Sequence, residues 1–286
     1  MKIVETVAEV QEQVKAWRKE GLTVGLVPTM GYLHEGHQSL IAKACAQNNR
    51  VVVSVFVNPT QFGPNEDLKS YPRDLEHDAA LCESTGAALI FHPTPEEMYP
   101  KGFCSFVDMD VLTKELCGLS RPVHFRGVCT VVSKLLHIVQ PDKAYFGEKD
   151  AQQLAVIRRM VLDLNMNVEI VGCPIVRESD GLAKSSRNTY LSPAERKAAL
   201  VLSKSIFAGK QLAEAGETDA AKLVQAMTKI IEAEPLAKID YVKVVDLMTM
   251  QQIPKLDRPF LAAIAVYIGK TRLIDNFMMQ AGGTAE

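Results

Sequence analysis

Short apolar, β-branched runs alternate with amphipathic stretches between residues 22 and 175, and this alternation constrains the fold more than any other feature. The order is typical of repeated βα units around a parallel sheet. The runs are nearly all apolar, as expected for strands that helices cover on both faces. The predicted strands are residues 23–27, 51–57, 87–91, 143–146 and 168–175. The sequence therefore predicts an α/β fold with a doubly wound, Rossmann-like parallel sheet.

The amphipathic stretches between these strands have lengths that suit crossover helices. Helices are predicted at residues 5–20, 37–46, 74–84, 128–139 and 151–164. The pattern changes at residues 177–188, which are polar and contain glycine, so a loop is expected there. Ser192, Pro193 and Glu195 then form a capping box that predicts a long helix to about residue 215. The remaining predicted elements are a helix at 218–232 and β-like runs at 241–245 and 261–268. Residues 272–277 follow these two runs.

A length of 286 residues suits one large or two modest domains. We expect a Rossmann-like domain at residues 1–176 and a smaller C-terminal α+β domain at residues 177–286. The 32 Lys and Arg residues against 34 Asp and Glu give a formal charge of -2. A chain without a basic field is a poor ligand for nucleic acid, so nucleic acid is disfavoured as the main partner.

The apolar runs are short and the cysteines are scattered. No run approaches the roughly 20 residues of a membrane helix, which predicts no membrane partner. Glu5 and Glu9 interrupt the stretch where an export signal would be apolar, so a cytoplasmic protein is expected. The 6 cysteines include no CxxC pair and are expected to be reduced, buried or half-buried thiols.

Residues 28–37 read PTMGYLHEGH and lie between a predicted buried strand and a predicted helix. In open α/β sheets, ligands bind at this carboxyl end of a strand. Gly31 and Gly36 allow the backbone to approach a phosphate, and a helix N-terminus attracts anions. His34 and His37 add two donors, so a phosphate site is predicted. A simple hydrogen-bonded turn and a zinc pair are the alternatives, although the spacing differs from HExxH.

HEGH resembles the HIGH signature of the nucleotidylyl transferase superfamily, which class I aminoacyl-tRNA synthetases share. About 150 residues later, residues 184–188 read KSSRN and resemble the KMSKS-type loop that closes over a triphosphate. Residues 55–62, 121–128 and 146–153 resemble stretches of the pantothenate synthetase family, as does the late RLIDN at 272–276. Together these motifs span nearly the whole chain.

This resemblance implies ATP-dependent condensation of (R)-pantoate with β-alanine through pantoyl adenylate, with release of AMP and pyrophosphate. It implies that His34, His37 and Lys149 are catalytic. The resemblance assigns ATP binding to Met30, Gly31, Tyr32, Leu33, His34, Glu35, Gly36, His37, Gly147, Glu148, Lys149, Asp150, Val176, Lys184, Ser185, Ser186 and Arg187. It assigns pantoate or β-alanine binding to Asn58, Gln61 and Gln153. The C-terminal domain would act as a lid that begins with the KSSRN loop.

Several of these residues also have ordinary structural explanations. Without the resemblance, Lys149 is expected to be a solvated charge and Asp150 a helix N-cap. Residues 184–188 are then expected to be a solvated linker. Lys184 occupies a position where the family is expected to have an apolar residue. It either strengthens triphosphate binding or faces solvent, and the sequence leaves both possibilities open.

The resemblance further implies Mg²⁺ and a homodimer. An ion held chiefly by phosphate oxygens needs no cage of protein ligands, so no metal-binding residue is predicted. Arg121, His124 and Arg126 lie in one of the shared segments. They belong either to the β-alanine region or to a subunit interface, and their roles stay unassigned.

Three other functions compete with this one. A related nucleotidyltransferase would keep the nucleotide in its product. A tRNA synthetase is disfavoured because only about a hundred residues follow Asn188 and no basic anticodon module is visible. A regulatory protein would bind the nucleotide without turnover.

Overall fold

The computed structural model describes residues 1–64 and 66–281. These residues form two compact units, each assembled from separate stretches of the chain. The first unit consists of Met1–Met109, Arg121–Glu148 and Val156–Pro174. The second consists of Asp110–Ser120, Lys149–Ala155 and the chain from Ile175 onward. The domain boundary expected after residue 176 stays a prediction.

The first unit is built around a six-stranded sheet in which neighbouring strands run parallel. Its strands are β1 (Lys2–Val4), β2 (Val24–Thr29), β3 (Arg50–Val55), β4 (Leu89–Phe91), β5 (Lys143–Gly147) and β6 (Glu169–Cys173). Their spatial order is β1-β4-β3-β2-β5-β6, so the winding direction reverses between β2 and β5. The predicted doubly wound sheet is confirmed. Its switch point lies at the carboxyl ends of β2 and β5, where ligands bind in such sheets.

Both units contain α-helices, and those of the first unit connect its strands. They are α1 (Val7–Lys19), α2 (Glu35–Gln47), α3 (Leu75–Thr85), α4 (Pro95–Met98), α5 (Leu116–Ser120), α6 (His124–Val139), α7 (Ala151–Asp163), α8 (Pro193–Ala198), α9 (Leu200–Glu214) and α10 (Ala220–Glu232). Short 3₁₀ turns cover Pro59–Gln61, Glu148–Asp150 and Ser186–Tyr190. In the described part of the chain, none of these helices combines the length and the hydropathy that crossing a bilayer requires.

The core of the first unit fixes the sheet against its helices. Val27 of β2, Val53 of β3 and Ile41 of α2 lie in one cluster and are fully buried. Burying a side chain of this size stabilises the fold by about 1.5–3 kcal/mol. This packing holds the carboxyl end of β2 and the beginning of α2 in a fixed relationship.

The second unit contains an antiparallel sheet in the order β7-β8-β9. Its strands are β7 (Ala237–Asp246), β8 (Phe260–Ile268) and β9 (Thr271–Met279). The core joins this sheet to α9 and α10 through fully buried residues such as Ile206, Met227 and Ile264. The predicted small antiparallel sheet with helices is therefore confirmed.

The structure differs from the predicted elements in several places. α6 begins at His124, one turn earlier than predicted, and Gly127 in its first turn approaches the chain at Gln61 closely. A Cβ at Gly127 would lie 2.5 Å from backbone atoms of Gln61. The helix expected to run to residue 215 is interrupted at Ala199, where the N–H of Leu202 donates to the Ala199 carbonyl in a tightened turn (3.1 Å). Cys104 is exposed, contrary to the expectation of buried or half-buried thiols.

Candidate active site

The turn after β2 has a backbone that only a few residues tolerate. Gly31 has a φ of 83°, in the left-handed region that glycine enters without a steric penalty. A Cβ there would lie 3.0 Å from both an Asp78 oxygen and a Val55 methyl group. Tyr32 follows with a φ of 50°, which is unfavourable for a residue with a side chain. The turn is therefore compact, and it needs outside support.

Asp78 of α3 supplies that support. Its carboxylate, 1% exposed, accepts hydrogen bonds from the N–H groups of Tyr32 (2.9 Å) and Leu33 (2.6 Å). Burial raises the pKa of Asp78, and the two N–H donors oppose that rise. The neighbouring His77 contacts the Leu33 carbonyl through Nε2 (3.1 Å). Sequence reasoning missed Asp78; the available signal was a carboxylate inside a helix predicted to pack on the sheet.

His34 and His37 are brought together at the start of α2. Their ring centroids lie 4.1 Å apart. His34 is the N-cap residue, and its Nδ1 accepts from the Gly36 N–H (3.1 Å), while His37 Nδ1 accepts from the His34 N–H (3.3 Å). A neutral imidazole that accepts through Nδ1 carries its proton on Nε2 and donates from there. The turn thus combines two imidazole donors with a helix N-terminus, an arrangement that suits a phosphate.

The zinc alternative requires further ligands near these histidines. Over residues 1–64 and 66–281, no group of three or more His, Cys, Asp or Glu side chains is arranged to hold a metal ion. The Nδ1 atoms of His34 and His37 are occupied by backbone N–H groups. These two nitrogens are therefore occupied in this arrangement and do not serve as metal ligands.

Met30, Asn58 and Gln61 also lie together in the first unit. The Asn58 amide nitrogen donates to Gln61 Oε1 (3.0 Å), and Gln61 Nε2 contacts Met30 Sδ (3.2 Å). Asn58 Oδ1 accepts from the Tyr99 hydroxyl (2.7 Å). Asn58 is buried and uses both polar atoms on the protein, so it orients the side chain of Gln61.

Arg121 and His124 both contact the main-chain carbonyl of Gln61. Arg121 donates to both carboxylate oxygens of Glu66 and to the Gln61 carbonyl (3.4 Å). His124 Nδ1 contacts that carbonyl at 3.2 Å. Arg126 points elsewhere, with its guanidinium 4.0 Å from the ring centroid of Phe106.

The segment after β5 divides between the two units. Gly147 and Glu148 belong to the first unit, while Lys149, Asp150 and Gln153 belong to the second. Lys149 Nζ lies 3.2 Å from an Asp150 carboxylate oxygen. Gln153 is half-buried at the beginning of α7.

The loop at residues 177–188 is well ordered by internal contacts. Val176 accepts a hydrogen bond from the Lys184 N–H (2.9 Å), and Ser185 caps the following 3₁₀ turn by accepting from the Arg187 N–H (3.3 Å). Ser186 is buried, whereas Lys184, Ser185 and Arg187 are half-buried. The expectation of a loop here is met, with a short 3₁₀ turn inside it.

Glu178 and Arg196 brace this loop. Arg196 donates to Glu178 (2.8 Å), and the Asn188 amide donates to the same carboxylate (3.0 Å). Burial alone would raise the pKa of Glu178, but the hydrogen bonds from Arg196 and Asn188 hold it below its ordinary value. Glu178 therefore stays ionised near neutral pH.

Comparison with known proteins identifies one family along almost the entire chain. The family model described as Pantoate-beta-alanine ligase matches residues 2–278. A pantothenate synthetase of Ruminiclostridium cellulolyticum is 68% identical over 277 residues, covering 97% of this chain and 98% of the relative. One from Enterococcus faecalis is 60% identical over 280 residues, covering 98% and 99%.

Solved structures agree with the sequence comparison. The crystal structure of pantothenate synthetase from Thermus thermophilus has a TM-score of 0.92 and 47% identity, and the match covers 99% of this chain and 100% of that one. A pantoate-beta-alanine ligase from Francisella tularensis, complexed with beta-gamma ATP and beta-alanine, has a TM-score of 0.80 and 35% identity, with 97% of each chain covered. On these matches, the chain belongs to the pantoate-beta-alanine ligase family.

Proposed function

We propose that the protein condenses (R)-pantoate with β-alanine at the expense of ATP, through a pantoyl adenylate, and releases AMP and pyrophosphate. Membership of the pantoate-beta-alanine ligase family supports the overall reaction. The observation that carries the proposal is the pair His34 and His37 at the N-terminus of α2, beside the switch point of the sheet. A nucleotide phosphate is the ligand that such an arrangement suits.

In the first step, a pantoate carboxylate oxygen attacks the α-phosphorus of ATP, and the bond from that phosphorus to the pyrophosphate oxygen breaks. Negative charge then grows on the phosphate oxygens. Fixed donors that bind this charge more strongly in the transition state than in the ground state lower the barrier. We assign this role to His34 and His37, with the backbone of residues 30–36 around the nucleotide.

Other proposed phosphate ligands lie at residue 149 and at residues 185–187. Lys149 offers a point charge for the phosphates and the acyl carboxylate. Ser185, Ser186 and Arg187 offer hydroxyl and guanidinium donors for the β- and γ-phosphates. The further proposed nucleotide contacts are Gly147, Glu148, Asp150, Val176 and Lys184.

Pantoate carries hydroxyl groups beside a gem-dimethyl group, so its pocket needs amides next to apolar surface. We propose Gln61 and Gln153 as those amides, with Asn58 holding Gln61 in place. The contact between Gln61 and Met30 Sδ puts an apolar side chain next to the amide. An analogue that lacks a hydroxyl would leave a buried amide unpaired, which costs about 1–3 kcal/mol.

In the second step, the neutral amine of β-alanine attacks the acyl carbon. The carbon–oxygen bond to AMP breaks, an amide forms, and the amine loses one proton. The adenylate makes this step possible because AMP is a far better leaving group than oxide.

Mg²⁺, a homodimer and a cytoplasmic location are also part of the proposal. An Mg²⁺ ion held mainly by triphosphate oxygens needs no cage of protein ligands, so no metal-binding residue is proposed. A Mg²⁺ titration of the reaction tests the ion, and light scattering in solution tests the dimer. The division into an ATP- and pantoate-binding domain at 1–176 and a C-terminal lid domain at 177–286 is proposed with them.

The decisive experiment follows AMP and pyrophosphate from ATP and Mg²⁺ with pantoate, with and without β-alanine. We expect pantoate-dependent release of pyrophosphate and sustained release of AMP only when β-alanine is present. A nucleotidylated product would instead identify a nucleotidyltransferase that retains the nucleotide. ATP binding without turnover of any acid would identify a regulatory protein.

A further inference from the structure

The motif RLIDN at residues 272–276 has no role in the scheme above, yet it carries two buried polar side chains on β9. Asp275 is 1% exposed and Asn276 is 4% exposed. Successive residues of a strand face opposite sides of the sheet. The two side chains therefore leave the strand in opposite directions, and each one reaches a different segment of the second unit.

Asp275 holds the base of the loop at residues 177–188. Arg177 donates to its two carboxylate oxygens at 2.7 Å and 2.9 Å, which is a bidentate ion pair. The same guanidinium donates to the Gly181 carbonyl (3.1 Å) and lies 5.0 Å from the ring centroid of Phe207. Arg177 also forms an isolated antiparallel bridge with Ala183. The loop is thus closed on itself and attached to β9 through one carboxylate.

Asn276 holds the backbone at Lys149. Its amide nitrogen donates to the Lys149 carbonyl at 2.9 Å. That carbonyl belongs to the 3₁₀ turn Glu148–Asp150, immediately before α7. Fixing the main chain of Lys149 at this point fixes the origin of its side chain.

We infer that Asp275 and Asn276 are positioning residues for the adenylation step. One strand orients both the segment with Lys149 and the loop with Ser185 and Arg187, so that two groups of phosphate ligands share one rigid support. The inference rests on the proposed function, because it concerns the residues assigned there to the phosphates. A misplacement of about 1 Å at a reacting group can cost roughly 10²-fold in rate.

The test is pantoate-dependent exchange of labelled pyrophosphate into ATP, measured on the full chain. The variants are Asn276→Ala and Asp275→Asn, and the control is Ile274→Ala, which lies on the same strand and the same face as Asn276. We expect Asn276→Ala to lower the kcat of exchange roughly 10²-fold with little change in the KM for ATP. We expect Asp275→Asn to raise the KM for ATP about tenfold, as the loss of one charge-assisted hydrogen bond would.

Thermal melting reports whether each variant is folded. If Asn276→Ala unfolds, Asn276→Leu replaces it, because this variant keeps the approximate size of the side chain and removes the amide donor without burying a charge. The inference is overturned if the wild type is active and the Asp275 and Asn276 variants match Ile274→Ala in kcat and in KM.

The controls separate this inference from the proposed function. A wild type without pantoate-dependent exchange contradicts the proposed function, and calorimetric titration with ATP then decides the positioning role. Weaker ATP binding by Asp275→Asn than by Ile274→Ala supports that role. Equal binding by the two variants overturns it.

Discussion

The carboxylate of Asp78 accepts a hydrogen bond of 2.6 Å from the main-chain N–H of Leu33, across 45 residues of sequence. The other carboxylate oxygen accepts from Tyr32. Left-handed backbone at Tyr32 costs energy for a residue with a side chain, and these two bonds offset that cost. A buried acid on α3 thereby shapes the turn that leads into His34.

Replacing Asp78 by Asn is expected to destabilise this turn. The amide keeps one acceptor oxygen but places an NH₂ group against one of the two N–H donors. A buried donor left unsatisfied costs about 1–3 kcal/mol, so the free energy of unfolding in urea should fall by that amount. The rate of pantothenate formation should fall as well. Asp74→Asn is the control, because asparagine caps a helix as well as aspartate does. Unchanged stability and rate in Asp78→Asn would contradict the role of this carboxylate.

Removing the imidazole of His37 is expected to lower kcat by about 10²–10³-fold, the usual effect of losing one donor to a transition-state anion. The fold should persist, because the hydrogen bond that His37 Nδ1 accepts from the His34 N–H is one part of the cap of α2. Steady-state kinetics and a circular dichroism spectrum measure the two effects. His137→Ala serves as control, since His137 lies exposed on α6. Turnover near the wild-type rate in His37→Ala would refute its catalytic assignment.

The cysteines are expected to differ sharply in reactivity. Burial raises the pKa of Cys82 to about 12, and burial likewise raises the pKa of Cys129 to about 12. Cys104 is exposed. Because the thiolate is the nucleophile, iodoacetamide at mildly alkaline pH should label Cys104 first and leave Cys82 and Cys129 unlabelled until the protein unfolds. Peptide mass spectrometry gives the order of labelling, with a urea-denatured sample as the reference for full modification.

The ion pair between Glu66 and Arg121 predicts a loss of stability in acid. Burial alone would raise the pKa of Glu66, but the Arg121 guanidinium outweighs it, and the pKa lies below its ordinary value of 4.5. The ionised carboxylate therefore stabilises the fold above pH 4.5, and this contribution is lost as the pH falls through the lowered pKa.

Glu66→Gln should remove that contribution, about 1.5–3 kcal/mol for a charge-assisted hydrogen bond. Urea unfolding at several pH values measures it. The variant should be less stable than the wild type at neutral pH, and the difference should shrink in acid. A difference that stays constant with pH would show that the charge of Glu66 is not responsible.

Local pattern predicted the sheet but not the contacts that shape its functional end. The buried strand β3 is apolar almost throughout, so residues 51–57 stood out in the sequence. Strand β1 did not, because an edge strand of three residues with two of them exposed has no such pattern. The helix predicted from residue 128 begins at His124, and the close approach of Gly127 to the Gln61 backbone is a contact between distant positions that local pattern does not encode. The bond between Asp78 and Leu33 joins distant positions, and no local pattern encodes it.

The segment 110–120 is folded into the second unit by side chains that come much later in the chain. Lys243 pairs with Glu115 at 2.6 Å, and the Tyr241 hydroxyl lies 3.2 Å from Cys117 Sγ. A fragment beginning after residue 176 would therefore lack part of its own core neighbours and leave these groups exposed. Recombination between related genes is constrained in the same way, because a single crossover between positions 117 and 241 would separate Glu115 from Lys243 and Cys117 from Tyr241. Relatives can exchange the second unit intact only through several coordinated crossovers.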